Sequence, residues 1–249
     1  MLTDLILFID GEAIVLDKPA GLPVDAPRDA SSSVEAALET FRFGFQRTPS
    51  AVHRLDRDTS GCLLIARHPK AHKRFAAAFE AGLVEKTYLA VLAGVPDGEG
   101  GRIALALSKR STREDGWRMV ADPRGKPAVT DWRVLGVVEG RALVEFRPQT
   151  GRTHQLRVHA ADGLGHAIVG DPVYGQGGEP MLLHALRLRL PRDPKAAIDV
   201  TAPLPKSFAR WADLAGPPQS PAPALPDLLR NPDAQTVAPE IVDPGSVAG

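Results

Sequence analysis

Between residues 53 and 61 the chain reads His53-Arg54-Leu55-Asp56-Arg57-Asp58-Thr59-Ser60-Gly61, five ionisable groups in nine residues. Neither a helical nor a strand period fits this run, and a terminal Gly closes it, so it reads as a loop. Two carboxylates alternating with two guanidiniums admit two readings. They form a surface salt-bridge ladder, or they present a carboxylate kept ionised by adjacent Arg and ready as nucleophile or base.

A second cluster is Thr150-Gly151-Arg152-Thr153-His154-Gln155-Leu156-Arg157-Val158-His159. On the helix this run suggests, His154 and Arg157 share a face, with Leu156 and Ala160 on a neighbouring apolar one. The resulting face is cationic, either simply solvated or suited to bringing Arg152, His154 and Arg157 against phosphate or a partner carboxylate. His154 and His159 lack the i, i+4 spacing of a helical metal pair, and no cysteine joins them, so no metal site is expected. In the third segment, Glu85-Lys86-Thr87-Tyr88-Leu89-Ala90-Val91, strand alternation puts Lys86, Tyr88 and Ala90 on one face and Thr87, Leu89 and Val91 on the other. Tyr88 there is either a half-buried packing residue or a ring offered to a ligand.

These segments need elements to hold them. Leu5 to Phe8 and Ala13 to Leu16 read as strands around the Gly11 turn, and Ser33 to Phe43 as a helix. Cys62 to Ala66 has strand length and follows the charged loop directly. Pro69 then opens a helix whose Phe75, Ala76, Phe79 and Leu83 recur at helical spacing. Val84 to Leu92, Arg102 to Leu107, Ala128 to Val138, Ala142 to Phe146 and Leu182 to Leu190 read as strands, and Thr153 to Asp162 as a short helix. Strands outnumber helices, short turns such as Glu139-Gly140 join them, and no βαβ alternation runs through the chain. The expected class is α+β, a mixed, mainly antiparallel β-sheet with flanking helices. Lys109, Arg110, Arg113, Arg118, Arg124 and Lys126 lie in a Gly-containing stretch read as either a mobile arm able to grip a polyanion or an exposed loop.

Composition bounds the classes. A chain of 249 residues, 43% hydrophobic and 24% charged, has the length for a real core. No run approaches the roughly 18 apolar residues of a bilayer span, and the N-terminus carries acids where a signal peptide would carry Lys or Arg, so a cytoplasmic protein without membrane contact is expected. Cys62, the one cysteine, excludes an internal disulfide. The 30 basic and 30 acidic residues balance, but residues 1–40 carry net −6, 41–190 net +8 and 191–249 net −2. The basic middle suits a polyanionic partner.

Taken together, His53-Arg54-Leu55-Asp56 with Asp58-Thr59-Ser60-Gly61, Lys86-Thr87-Tyr88-Leu89-Ala90, Gly151 to His159 and Gly170-Asp171-Pro172-Val173-Tyr174-Gly175 resemble the RluA-type pseudouridine synthases. The opening Ile14-Val15-Leu16-Asp17-Lys18-Pro19-Ala20-Gly21-Leu22-Pro23-Val24 and the late Leu183-His184-Ala185 match the same pattern, in the same order, over residues 5–205. The resemblance implies isomerisation of chosen uridines in structured ribosomal or transfer RNA to pseudouridine, with no cofactor and no metal, in a cleft across the middle of the sheet. It implies Asp56 as the catalytic aspartate, Tyr88 as the tyrosine against the target base and Arg157 as the basic residue paired with the aspartate. Arg54 would help hold the flipped nucleotide, and Arg57, Lys86, Arg152 and His154 are the further RNA-contact candidates. A monomer is expected.

The chemistry agrees with these residue types. The bond from ribose to N1 of uracil must break, the base must turn while held, and ribose must join carbon 5. One carboxylate can assist that departure as a glycosidase carboxylate does, without a second acid, since no water is delivered. Two rivals stand beside this reading. Asp56-Arg57-Asp58-Thr59 partly resembles an aspartate-nucleophile phosphatase, but His53-Arg54 interrupt the strand that motif requires. A non-catalytic RNA-binding module leaves a carboxylate amid arginines unexplained.

The catalytic domain is expected to span 1–215, followed by a mobile 216–249 tail in which 8 of 34 residues are proline and none is aromatic. Removing 216–249 is expected to shift the melting temperature by less than about 5 °C, measured by calorimetry; a larger fall shows that the tail docks.

Overall fold

Eleven strands form one sheet in the computed structural model, which describes residues 1–27, 32–113 and 116–216. They are β1 (Ile6–Ile9), β2 (Ala13–Lys18), β3 (Ser50–Ala51), β4 (Ser60–Ala66), β5 (Glu85–Leu92), β6 (Gly100–Thr112), β7 (Gly116–Ala121), β8 (Lys126–Val138), β9 (Arg141–Pro148), β10 (Leu183–Arg192) and β11 (Lys195–Thr201). The order is β1-β2-β4-β10-β5-β9-β8-β6-β7, with β3 beside β4 and β11 beside β10. Every pairing is antiparallel except β4 with β10. The α+β class and the mixed, mainly antiparallel sheet are thus as expected. The expected tail lies outside the described residues apart from Gly216. Among the described residues, no helix is long and apolar enough to cross a membrane.

Strands β2 and β4 are apolar at consecutive positions because both of their faces are covered. Val15, Cys62, Leu64 and Ala66 pack with Phe75 of α2 (Pro69–Glu80), whereas Ile14, Leu16, Leu63 and Ile65 pack with Val34 and Phe41. α2 starts where the sequence places it: His68 caps it by accepting the Ala71 N–H, and Pro69 occupies the first turn, where no N–H is needed.

The helix expected over Ser33 to Phe43 is shorter. α1 covers Val34–Ala37 and tightens into a 3-10 turn, Leu38–Phe41. Ser33 does cap it, but the Thr40 hydroxyl bonds the Ala37 carbonyl, and Phe43 and Gly44 both take positive φ, which ends helical geometry. The basic stretch read as either an arm or an exposed loop contains a two-stranded hairpin, β6 running on to Thr112 and pairing Leu107–Thr112 with Ala121–Gly116 of β7, while Lys126 begins β8. Charged side chains on both faces hide strand alternation when no neighbouring sheet covers them.

β10 sets the geometry of the middle. One edge pairs with β5, while the other pairs first with β4, at His184↔Ser60 and Ala185↔Gly61, and then with β11 from Arg187 onward. The sheet forks there, and Leu188, Leu190, Ile198 and Val200 fill the fork against β4 and α2. The seam is tight. Gly61 has φ of 103°, and a Cβ on it would lie 2.2 Å from the Ala185 carbonyl oxygen. Gly61→Ala is therefore expected to destabilise the protein by about 3 kcal/mol or more in urea titration, from strained φ and overpacking together. An unchanged midpoint would show that the seam relaxes freely.

Candidate active site

Two buried leucines and the packing of Tyr88 itself bring three chemical side chains together. Leu55 is buried in the cluster between β2, β4 and α1, so Asp56, next along the loop, points out of it. Leu156 is buried in the cluster under β5 and β9, which sets the short helix α3 (Gln155–Val158) and hence Arg157. Tyr88 on β5 packs against both clusters. Asp56, Tyr88 and Arg157 line one cleft of about 700 Å³, with His53, Arg54, Lys86, Arg152 and His154 also on its walls.

Arg157 is 5% exposed and divides its guanidinium between two acids. Nε and one terminal nitrogen donate to the two Asp171 oxygens at 2.7 Å each, and the other donates to Asp56 Oδ2 at 3.2 Å. Asp171 is 0% exposed and also accepts the Val173 and Tyr174 backbone N–H groups. Burial works to raise the Asp171 carboxyl, but Arg157 and these N–H groups outweigh it and hold the group below its ordinary value. For Arg157, burial works against the charge and the bonds to Asp171 override it, so its pKa is raised. Asp171 belongs to the Gly170–Gly175 run, but local sequence shows it no partner; a buried acid finds its cation only across the fold.

Lys18 holds the Asp56 loop from below. Fully buried, it donates to the Pro19, Leu22 and Arg57 carbonyls at 2.9, 2.7 and 3.0 Å. Burial draws it to about 8, against the pull of Asp58 and Asp56, so it stays charged at neutral pH. α3 is pinned in turn by Gln155, whose side-chain amide donates to Val129 O and Thr130 Oγ1, and by His159 on the same hydroxyl.

His154 departs from expectation. It precedes α3 in the left-handed region at φ 52°, so it does not share a helical face with Arg157. Its ring instead reaches Asp56, Nε2 lying 3.9 Å from Oδ2, while Nδ1 meets the Tyr174 hydroxyl at 3.0 Å. Burial, with the Arg157 charge, lowers its pKa against the pull of Asp56, so the ring is neutral at pH 7. The expected cationic face is therefore not one: Arg157 is engaged by two acids and His154 is uncharged.

Asp56, Tyr88 and Arg157 all fall within the stretch that matches a known family. Residues 12–162 match the family model described as RNA pseudouridylate synthase. The chain belongs to the RNA pseudouridylate synthase family. It is 56% identical over 212 residues to an uncharacterized RNA pseudouridine synthase of Zymomonas mobilis, covering 84% of this chain and 97% of that one. It is 37% identical to the ribosomal large subunit pseudouridine synthase D of the same organism, over 69% of this chain and 56% of the relative. Among solved structures, human RNA pseudouridylate synthase domain containing 4 superposes with TM-score 0.71 at 27% identity, over 86% of this chain and 93% of that one. This protein is an RNA pseudouridine synthase, an isomerase, and the phosphatase and binding-module rivals are not favoured.

The RNA-contact candidates of this synthase sort differently in space. Lys86 lines the cleft, with burial drawing it to about 8, and its ammonium is 3.5 Å from the Thr150 carbonyl. Arg152 also lines it, its Nε on the Pro127 carbonyl. Arg54 lines it but pairs with Asp25 at 2.5 Å, both exposed. Arg57 is not on the cleft wall; its guanidinium bonds Gly21 O, and its carbonyl receives Lys18 and the Gly21 N–H. His53 is a support: its Nε2 accepts the Leu64 N–H, and burial pushes it to about 3. Among the described residues no three His, Cys, Asp or Glu side chains converge as a metal-ligand set.

Asp171→Asn removes one charge of a buried pair and leaves Arg157 on Asp56 alone. A loss of about 3 kcal/mol in urea titration is expected; a loss below about 1 kcal/mol would show that Asp56 alone holds the guanidinium.

Proposed function

We propose that Asp56 is the carboxylate that releases uracil from ribose in a uridine flipped out of structured RNA, with Arg157 placing it and Tyr88 facing the base. The supporting observation is the 3.2 Å contact from Arg157 to Asp56, made by a guanidinium whose other edge is locked on Asp171. Arg157 thereby keeps a charged partner on Asp56 when RNA closes the cleft and excludes water. The N1 bond to ribose breaks with its electron pair left on uracil, the base turns within the cleft, carbon 5 bonds to ribose and gives up its proton, and N1 takes one up, so that the product is an isomer. Asp171, the other acid on Arg157, is buried and saturated by donors, so it activates no water; isomerisation needs none.

Burial and the Asp56 charge push the Tyr88 phenol up, so it stays neutral at pH 7. A neutral ring packed into two core clusters is a firm stacking surface for the base. Lys86 and Arg152, the cleft cations not held by acids in the pairs described above, fit phosphates, which help offset the few kcal/mol of unstacking a uridine. Relatives named as ribosomal large subunit pseudouridine synthases favour large-subunit ribosomal RNA as substrate, with transfer RNA the other class. The same reading takes the enzyme as a cytoplasmic monomer without cofactor or metal, with its catalytic domain in residues 1–215.

The test is single-turnover conversion of protein-free RNA from a strain that lacks the gene. Asp56→Asn is expected to lose at least about a thousandfold in rate, with the RNA dissociation constant within about threefold, since a charge is exchanged for a neutral group of the same shape. Arg157→Lys keeps the charge but loses the fork, and is expected to retain RNA affinity while slowing the step about a hundredfold. Wild-type rates in Asp56→Asn would overturn the assignment.

A further inference from the structure

Trp117 and Phe43 are the exposed aromatic residues among the described part of the chain. Phe43 stands against Phe41 in a local cluster. Trp117, 49% exposed and in none of the buried clusters, stands instead against the active site. Its indole lies over the His154 ring with centroids 5.1 Å apart and planes 30° from parallel, and the other edge of His154 is 3.9 Å from Asp56. One stacked ring therefore separates the indole from the side chain that meets the proposed catalytic carboxylate.

The hairpin holds Trp117 there by a dedicated contact. The Tyr174 hydroxyl accepts the Met119 N–H at 3.0 Å and bonds the Met119 carbonyl at 3.1 Å while it also meets His154. Met119 and Trp117 are two apart on β7 and share a face with Lys109 and Ser111, their direct partners on β6. The Lys109 ammonium sits 5.3 Å from the indole centroid. The charged residues of the hairpin within the described part, Lys109, Arg110, Arg113 and Arg118, are basic. An exposed indole bordered by cations and set against a ring that lines the cleft has the chemistry of a base-stacking platform.

We propose that Trp117 stacks against an RNA base beside the target uridine, with Lys109 swinging from the indole to that nucleotide's phosphate. The proposal rests on the RNA reading above and adds a second base site to it. Lys109 is an exposed, flexible side chain, so a base can take its place over the ring.

The experiment compares wild type, Trp117→Ala and Trp117→Phe for pseudouridine formed in protein-free total RNA from a strain that lacks the gene. Trp117→Ala is expected to raise KM tenfold or more, about 1.4 kcal/mol, with kcat within threefold; Trp117→Phe, which keeps a stacking ring, stays within threefold on both. An unchanged KM in Trp117→Ala overturns the proposal. A fall in kcat at unchanged KM also overturns it, making the indole a packing support for His154. If wild type itself forms no pseudouridine, the proposed function fails, and the platform is read by binding of the same RNA. A dissociation constant weakened tenfold in Trp117→Ala and held in Trp117→Phe then supports it, and equal constants overturn it.

Discussion

Arg157 is shared by two carboxylates, one buried and one facing the cleft, and the site depends on that division. Burying a guanidinium costs several kcal/mol unless its donors are met in good geometry. Asp171 meets two of them and is itself met by two backbone N–H groups, so the buried half is satisfied without Asp56. The remaining donor is directed at Asp56. A carboxylate proposed to release uracil is thus oriented by a cation that does not depend on it for burial.

The residues of this triad come from a loop before β4, a helix after β9 and a turn before β10, and only the forked sheet brings those segments together. At the seam β4 and β10 touch over two residue pairs, close enough that Gly61 leaves no space for a side chain. Buried His184 joins Ser60 across the same seam through Nδ1, 2.9 Å from the hydroxyl. Leu55, Tyr88 and Leu156 then register the loop, strand and helix on two apolar clusters. Hydrophobic packing fixes position, and the ion triad fixes orientation.

The positive charge available to RNA is distributed in an unexpected way. Arg157 is engaged, His154 is neutral, Arg57 braces a loop and Arg54 meets Asp25. What remains around the cleft is Lys86 and Arg152, with the β6–β7 hairpin carrying further cations beside it.

Much of this was legible in the residue order. Strand periods, the Pro69 helix start, the loop character of His53 to Thr59 and the face shared by Lys86, Tyr88 and Ala90 all follow from local sterics and burial, which act over a few residues, whereas Ser60 and Gly61, read as the end of the loop, already belong to β4. So does the motif order that carries the family resemblance. Other features were not legible. His154 looked like a helical neighbour of Arg157 because periodicity cannot show a left-handed residue before a four-residue helix. The hairpin looked like a loop because exposed cations mask alternation. Asp171 carried no role because its partner is fourteen residues away and becomes one only when both are buried. Local sequence determines which elements form, since their hydrogen bonds and faces are satisfied nearby. Which charges pair, which histidines lose theirs and which indole meets the cleft are decided by desolvation and distance, and those exist only once the sheet has closed around the seam.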